Sequence, residues 1–171
     1  MGNLPKIKLG NHEVSRLIVG GNPFSGNSHQ TNEMSKDMRD YYTTERIKTT
    51  LRECESQGIN TVQARGDVHI MRVLNEYCNE GGKIQWIAQT ASELASIINN
   101  VNQIASFGAI ACYHHGSKTD ALYKEGKLDS VKDVLSAIKD RGMSAGLGTH
   151  DPEVIRYVED NNFGVDFYMM A

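Results

Sequence analysis

"INTVQARGDVHIMRVLNEYCNEGGKIQWIAQT", residues 59–90, holds one full repeat of the pattern that decides the fold. It opens on a β-type run, 59–66. A helical stripe of Ile70, Val73, Leu74 and Tyr77 follows and breaks at Gly81 and Gly82. A second β-type run, "KIQWIAQT" at 83–90, comes at once. Strands joined through a helix of this length pair in parallel, with the helix laid across the sheet.

The same alternation extends in both directions. On the N-terminal side, a helix from about Thr43 carries Ile47, Leu51 and Cys54 on one face, with Gly58 at its C-terminal cap, and is preceded by the run "RLIVGG" at 16–21. Earlier still, "KIKLGNHEVSRL" reads as two short alternating runs joined through Gly10 and Asn11, a β-hairpin. On the C-terminal side, Thr90 and Glu93 form a T-x-x-E capping box for a helix with Leu94, Ile97, Ile98 and Val101 inward. The strand "GAIACYHH" at 108–115 follows, and then a polar excursion at 117–129. A helix with Val131, Val134, Leu135 and Ile138 inward stops at Gly142 and leads into the strand "MSAGLGTH" at 143–150. Asp151, Pro152 and Glu153 start the next helix as N-cap, first-turn proline and dipole-compatible acid. The last strand is "GVDFYMMA" at 164–171.

This order specifies an α/β fold built as a TIM-type (β/α)8 barrel, here incomplete, in a single domain spanning 1–171: about six parallel strands and five helices behind an N-terminal β-hairpin. An open dinucleotide-binding sheet would carry G-x-G-x-x-G after its first strand, and "VGGNPFSGN" does not match it. Eight units take ~250 residues, so a chain of 171 reads as a barrel cut after its sixth strand. Its open edges are expected to be covered by a second copy, making a homo-oligomer, or by further chain.

The composition narrows the partners. With 39% hydrophobic residues and a net charge of -3 from interspersed acids and bases, no cationic face invites nucleic acid or an anionic membrane. A small-molecule ligand is the partner that remains. The three cysteines lie far apart and fit neither a disulfide framework nor a zinc ribbon. The start "MGNLPKIKLG" has no signal-peptide core, Lys6 stands where a myristoylation signal needs Ser or Thr, and no run approaches the ~20 apolar residues of a membrane span. A cytoplasmic protein is expected.

In barrels, the C-terminal ends of the strands and the loops after them form the working face. Here they supply Asn22, Gln63, Arg65, Gln89, His114, His115 and His150. The set is rich in hydrogen-bond donors and suits a carbonyl- or hydroxyl-bearing metabolite, or an anion paired with Arg65. Adjacent strand residues point to opposite faces, so only one of His114 and His115 can look into the site. His114, His115, His150 and Asp151 are ligand types for a metal, but barrel metal sites draw two ligands from one strand at i, i+2, and no further carboxylate ends the second or third strand. A metal is therefore not expected. Residues 22–42, long for a connection and carrying Phe24, Met34, Met38, Tyr41 and Tyr42, read as a mobile lid.

The passages "LGNHEVSRLIVGGNPFSG", "ECESQGINTVQARGD" and "IKDRGMSAGLGTHDPEVIRYVED" together resemble the aldo/keto reductase superfamily in order and spacing. The resemblance implies an oxidoreductase barrel that binds NADPH across its C-terminal face and reduces aldehydes or ketones. It places the family's catalytic Asp at about Gln63, its Tyr at about Val68, its Lys near Gln89 and its His at His114 or His115. Three of the four are thus replaced by residues that cannot titrate, and the loops after strands seven and eight that hold the NADPH phosphates have no counterpart. The leading expectation is a reductase-like protein that binds a small carbonyl or hydroxyl compound, with a surviving histidine as its polarising donor. The alternatives are a metal-assisted isomerase, lyase or hydrolase using the strand-end histidines, and a non-catalytic barrel that assembles with itself.

Overall fold

A computed structural model describes residues 4–170; the "MGN" start and Ala171 lie outside them. The hairpin is β1 (Lys6–Leu9) and β2 (His12–Ser15), antiparallel, turning at Gly10, whose φ of 56° favours glycine. A six-stranded sheet follows in the order β3 (Val19–Gly20), β4 (Thr61–Arg65), β5 (Gln85–Gln89), β6 (Ala111–His114), β7 (Ser144–Thr149) and β8 (Phe167–Met170). Every neighbouring pair is parallel. Strand order that never reverses, with the sheet curled, makes this an incomplete TIM-type barrel rather than a doubly wound sheet.

Between the strands run α1 (Asn22–Ser25), α2 (Asn32–Tyr41), α3 (Thr44–Ser56), α4 (Val68–Asn79), α5 (Ile97–Ser106), α6 (Gly116–Lys124), a 3-10 turn Leu128–Ser130, α7 (Val131–Asp140) and α8 (Pro152–Asp160). The helix stripes read from the sequence bury as expected in α3, α4 and α7: Ile47, Leu51, Ile70, Val73, Leu74, Tyr77, Val131, Val134, Leu135 and Ile138 all join the main core. They meet the sheet residues Val62, Ala64, Trp86, Ala88, Cys112, Ala145 and Leu147. The alternate residues of the same strands face the concave side, where Ile87, Ala111 and Tyr113 pack with Leu9, Ile18, Phe167 and Met169.

Three local expectations change. The Thr90–Glu93 capping box is absent. The helix begins later, capped by Ser96, whose hydroxyl accepts from Asn99 N, and Ile98 is exposed. Thr90 and Glu93 instead serve the site described below. The polar excursion 117–129 is largely helical: α6 carries its short apolar contacts through Thr119 and Leu122 rather than through a full stripe, so periodicity does not announce it. The segment 22–42 forms two helices, and Phe24 is buried edge-on against Tyr42 with ring centroids 5.1 Å apart, while Met34 and Tyr41 face outward.

The hairpin is tied to the N-terminal end of the sheet. Asn60 Oδ1 accepts from Ser15 N at 2.8 Å, and the side-chain amides of Asn60 and Gln85 each donate to Glu13 O at 2.8 Å. At the opposite end of β3, Gly21 N donates to Gln63 O at 2.7 Å, and a Cβ on Gly21 would stand 2.5 Å from Ala64 Cβ and 2.8 Å from its Cα. Only glycine lets the chain leave β3 this close to β4. Gly21→Ala should therefore cost about 1–3 kcal/mol in urea unfolding by overpacking against backbone. Gly20→Ala, whose Cβ would meet nothing within 4 Å, should stay within about 0.5 kcal/mol; equal losses at the two glycines would contradict this packing.

Candidate functional site

A cavity of about 320 Å³ opens at the C-terminal ends of the strands. Its floor is Tyr113 of β6, whose ring meets Phe167 of β8 edge-on at 6.3 Å between centroids. Gly146 of β7 pairs in register with both, and a Cβ there would come 2.3 Å from the Phe167 ring. The Gln63 side-chain amide donates to Tyr113 Oη at 2.6 Å. Burial pushes the Tyr113 phenol well above its usual range, against the opposing effect of Gln63 and Gln89, so it stays protonated.

Gln63, Arg65 and Gln89 line one wall because they occupy alternate positions of β4 and β5. Arg65 pairs with Asp67 at 3.6 Å and with Glu93. Asp67 also caps α4, accepting from Ile70 N at 2.9 Å. The Arg65 guanidinium is thus already matched by two carboxylates. The segment after β3 contributes Asn22, Asn27 and His29.

The adjacent histidines separate as the pleat requires. His114 turns to the helix side and is 5% exposed, its Nδ1 2.8 Å from Thr119 Oγ1. The Thr119 hydroxyl has a single proton and donates it to His115 O at 3.1 Å, so it accepts from a His114 that carries its proton on Nδ1. Burial pushes His114 down to about 4, with His115 adding a smaller repulsion, so the ring is neutral at ordinary pH. His115 lines the cavity instead, and its main-chain N–H donates to Thr90 Oγ1 at 3.1 Å. Its Nδ1 is buried without a partner among the described residues. Burial, then Arg65, Lys118 and His150, hold this ring below the usual imidazole range.

His150, after β7, also lines the cavity, with Nδ1 2.7 Å from Asp120 Oδ2. Asp120 comes from α6, whose start lies tight on β7: a Cβ on Gly148 would be 3.0 Å from Gly116 N and His114 O. Burial would raise the Asp120 carboxyl, but hydrogen bonds from Thr149 and His150 outweigh it and keep the group below its ordinary range. Asp151 is occupied as the N-cap of α8, accepting from Glu153 N at 2.9 Å. Among the described residues, no three His, Cys, Asp or Glu side chains gather in an arrangement able to hold a metal ion. No helix among them is long and apolar enough to cross a membrane.

The structure thus brings Asn22, Gln63, Arg65, Gln89, His115 and His150 to one cavity and places His114 on the far side of the sheet. Tyr113, Asn27, His29, Ser117, Thr149, Met169 and Met170 also line the cavity, and Asp120 supports it. Tyr113 was legible, since it shares a face with His115 two residues on; nothing in the sequence links Asp120 to His150 thirty residues away.

No protein-family description and no curated protein matches the chain in sequence. Among solved structures, a truncated form of 3-deoxy-D-arabino-heptulosonate 7-phosphate synthase from Thermotoga maritima is similar, with a TM-score of 0.56 and 12% identity. The match covers 98% of this chain and 55% of that one, so the chain spans about half the length of its neighbour. This likeness shows a TIM-barrel-like fold and nothing finer.

It also corrects the aldo/keto reductase resemblance, because the neighbour belongs to a different barrel family and no family description supports the reductase reading. The residues that carried the resemblance have local structural reasons: Gly10 turns the hairpin, Val14 and Ser15 bury against the sheet end, and Gly21 admits the close approach to Ala64. Val68, the position matched to the family's tyrosine, is 70% exposed and does not line the cavity. The NADPH expectation rested on that resemblance alone.

The depressed His114 has a stability consequence. Between its unfolded value of 6.5 and its folded value of about 4, the unfolded chain binds the extra proton, so stability is full above pH 6.5 and falls as pH drops toward 4. The loss from this group is up to about 3 kcal/mol. Chemical denaturation across that range should show the slope, and His114→Gln should flatten it; an unchanged slope in the variant would rule out His114 as its source.

Proposed function

We propose that the cavity binds a small, uncharged carbonyl- or hydroxyl-bearing metabolite. The observation that carries this reading is the chemistry of the wall: amides from Asn22, Asn27, Gln63 and Gln89, imidazoles from His29, His115 and His150, and hydroxyls from Tyr113, Ser117 and Thr149, around an Arg65 already paired with two carboxylates. Such groups both donate and accept, as a polyol or sugar needs, and they offer no uncompensated charge to an anion. A volume of 320 Å³ is about ten times the ~30 Å³ share of a liquid water, room for a molecule of roughly ten heavy atoms. The His115 ring lines the cavity and its Nδ1 has no hydrogen-bond partner among the described residues, so no neighbour fixes its tautomer and its other nitrogen can suit a ligand's carbonyl or hydroxyl oxygen.

A second reading concerns assembly. β3 and β8 each have one strand neighbour in the sheet, and their free sides are covered in our reading by a second copy of the chain. Sedimentation velocity should then depend on protein concentration; a single monomeric species throughout would remove this reading.

For the ligand, titration with glycerol, dihydroxyacetone, D-xylose and D-glucose should shift the NMR signals of the Gln63 and Gln89 amides and of the His115 ring. Gln89→Leu should weaken the effect about tenfold or more, because a buried polar ligand group loses its partner. Shifts produced by inorganic phosphate and not by the sugars would replace the neutral ligand with an anion.

A further inference from the structure

His150 and Asp120 are built more tightly than ligand contact requires. The Asp120 carboxylate accepts from the Thr149 hydroxyl, from His150 N at 3.3 Å, and faces His150 Nδ1 at 2.7 Å. An ionised carboxylate only accepts, so Nδ1 carries a proton, and in the neutral ring the lone pair stands on Nε2. Nε2 has no partner among the described residues, and the ring lines the cavity. The carboxylate itself is fixed from behind. Thr119, the preceding residue, is bonded to the buried His114, and the first turn of α6 rests on the bare backbone of Gly148. Gly116 has no side chain, and a Cβ there would come within 3.2 Å of His150 Cε1, so the helix start and the imidazole lie against each other.

A ring whose tautomer and orientation are both set by a carboxylate held in turn by two other groups is the arrangement that general acid–base chemistry uses. Resting on the reading that the cavity takes a neutral carbonyl compound, we propose that His150 Nε2 removes a proton from the carbon beside the ligand's carbonyl, with Asp120 as its positioning residue. In this step the C–H bond breaks and an N–H bond forms on Nε2. The C–H electron pair moves into a carbon–carbon double bond, and the carbonyl π pair moves onto oxygen, giving an enolate. Returning the proton to carbon reverses the step, and nothing is oxidised or reduced. The side-chain amides of Gln63 and Gln89 line the same cavity and are the N–H donors proposed for the enolate oxygen.

The test follows the carbon-bound protons of dihydroxyacetone and D-glyceraldehyde by NMR in D2O with the intact chain. Wild type should speed their loss at least tenfold over buffer. His150→Gln should return the rate to that of buffer. Asp120→Asn should lower it tenfold or more while the cavity signals still shift with these compounds, whereas Asp120→Glu should restore part of the rate. A purely structural Asp120 would lose exchange and cavity shifts together, with no rescue by Asp120→Glu. Undiminished exchange in His150→Gln or in folded Asp120→Asn overturns the proposal. If wild type shifts its cavity signals with these compounds but exchanges no protons, the proton-transfer role falls and the binding reading stands; if it does neither, both fall.

Discussion

The period-two alternation of a parallel strand is the constraint on which the rest of this structure depends. In β4 it sends Val62 and Ala64 to the helices and Gln63 and Arg65 to the cavity, and in β6 it separates Cys112 and His114 from Tyr113 and His115. Because the strands are held in one register, these choices line up across the sheet: Arg65, Gln89, Tyr113, Gly146 and Phe167 fall in one row. A slip of one residue in β5 would bury Gln85 and Gln89 among the helices and turn Trp86 toward the cavity. The polar wall and the apolar core are therefore two consequences of the same ladder.

Much of this architecture was legible. Helix stripes in α3, α4 and α7 and the start of α8 at Asp151 follow from side-chain spacing and capping chemistry, which are local properties. The strand-end rule likewise collected six residues that share the cavity. What escaped was set by tertiary contact. Thr90 and Glu93 have the spacing of a capping box, yet Thr90 holds the main chain of His115 and Glu93 pairs with Arg65, two partners that only the sheet brings within reach. The resemblance misled for a related reason: a hairpin turn, a buried strand and a glycine at a close approach recur wherever a chain enters a barrel this way, whatever chemistry the barrel performs.

The three histidines around β6 and β7 show how one side chain takes different roles from its surroundings. His114 is enclosed and neutral, and its single hydrogen bond fastens α6. His115 is half-enclosed, its Nδ1 without a partner among the described residues, and its surroundings make it reluctant to carry charge. His150 is the more open ring, and a carboxylate fixes its Nδ1. Moving one residue along the strand, or one strand across the sheet, changes which of these an imidazole becomes.

The two ends of the sheet are unequal. β3 contributes only Val19 and Gly20 to the ladder, a span too short to template another strand, and the chain leaves it at once through Gly21 into α1. β8 pairs over Phe167 to Met170 and opens on two aromatic side chains of high strand-forming tendency. β8 thus offers a longer run of backbone to a neighbouring strand than β3 does, and the two free sides ask for different kinds of cover.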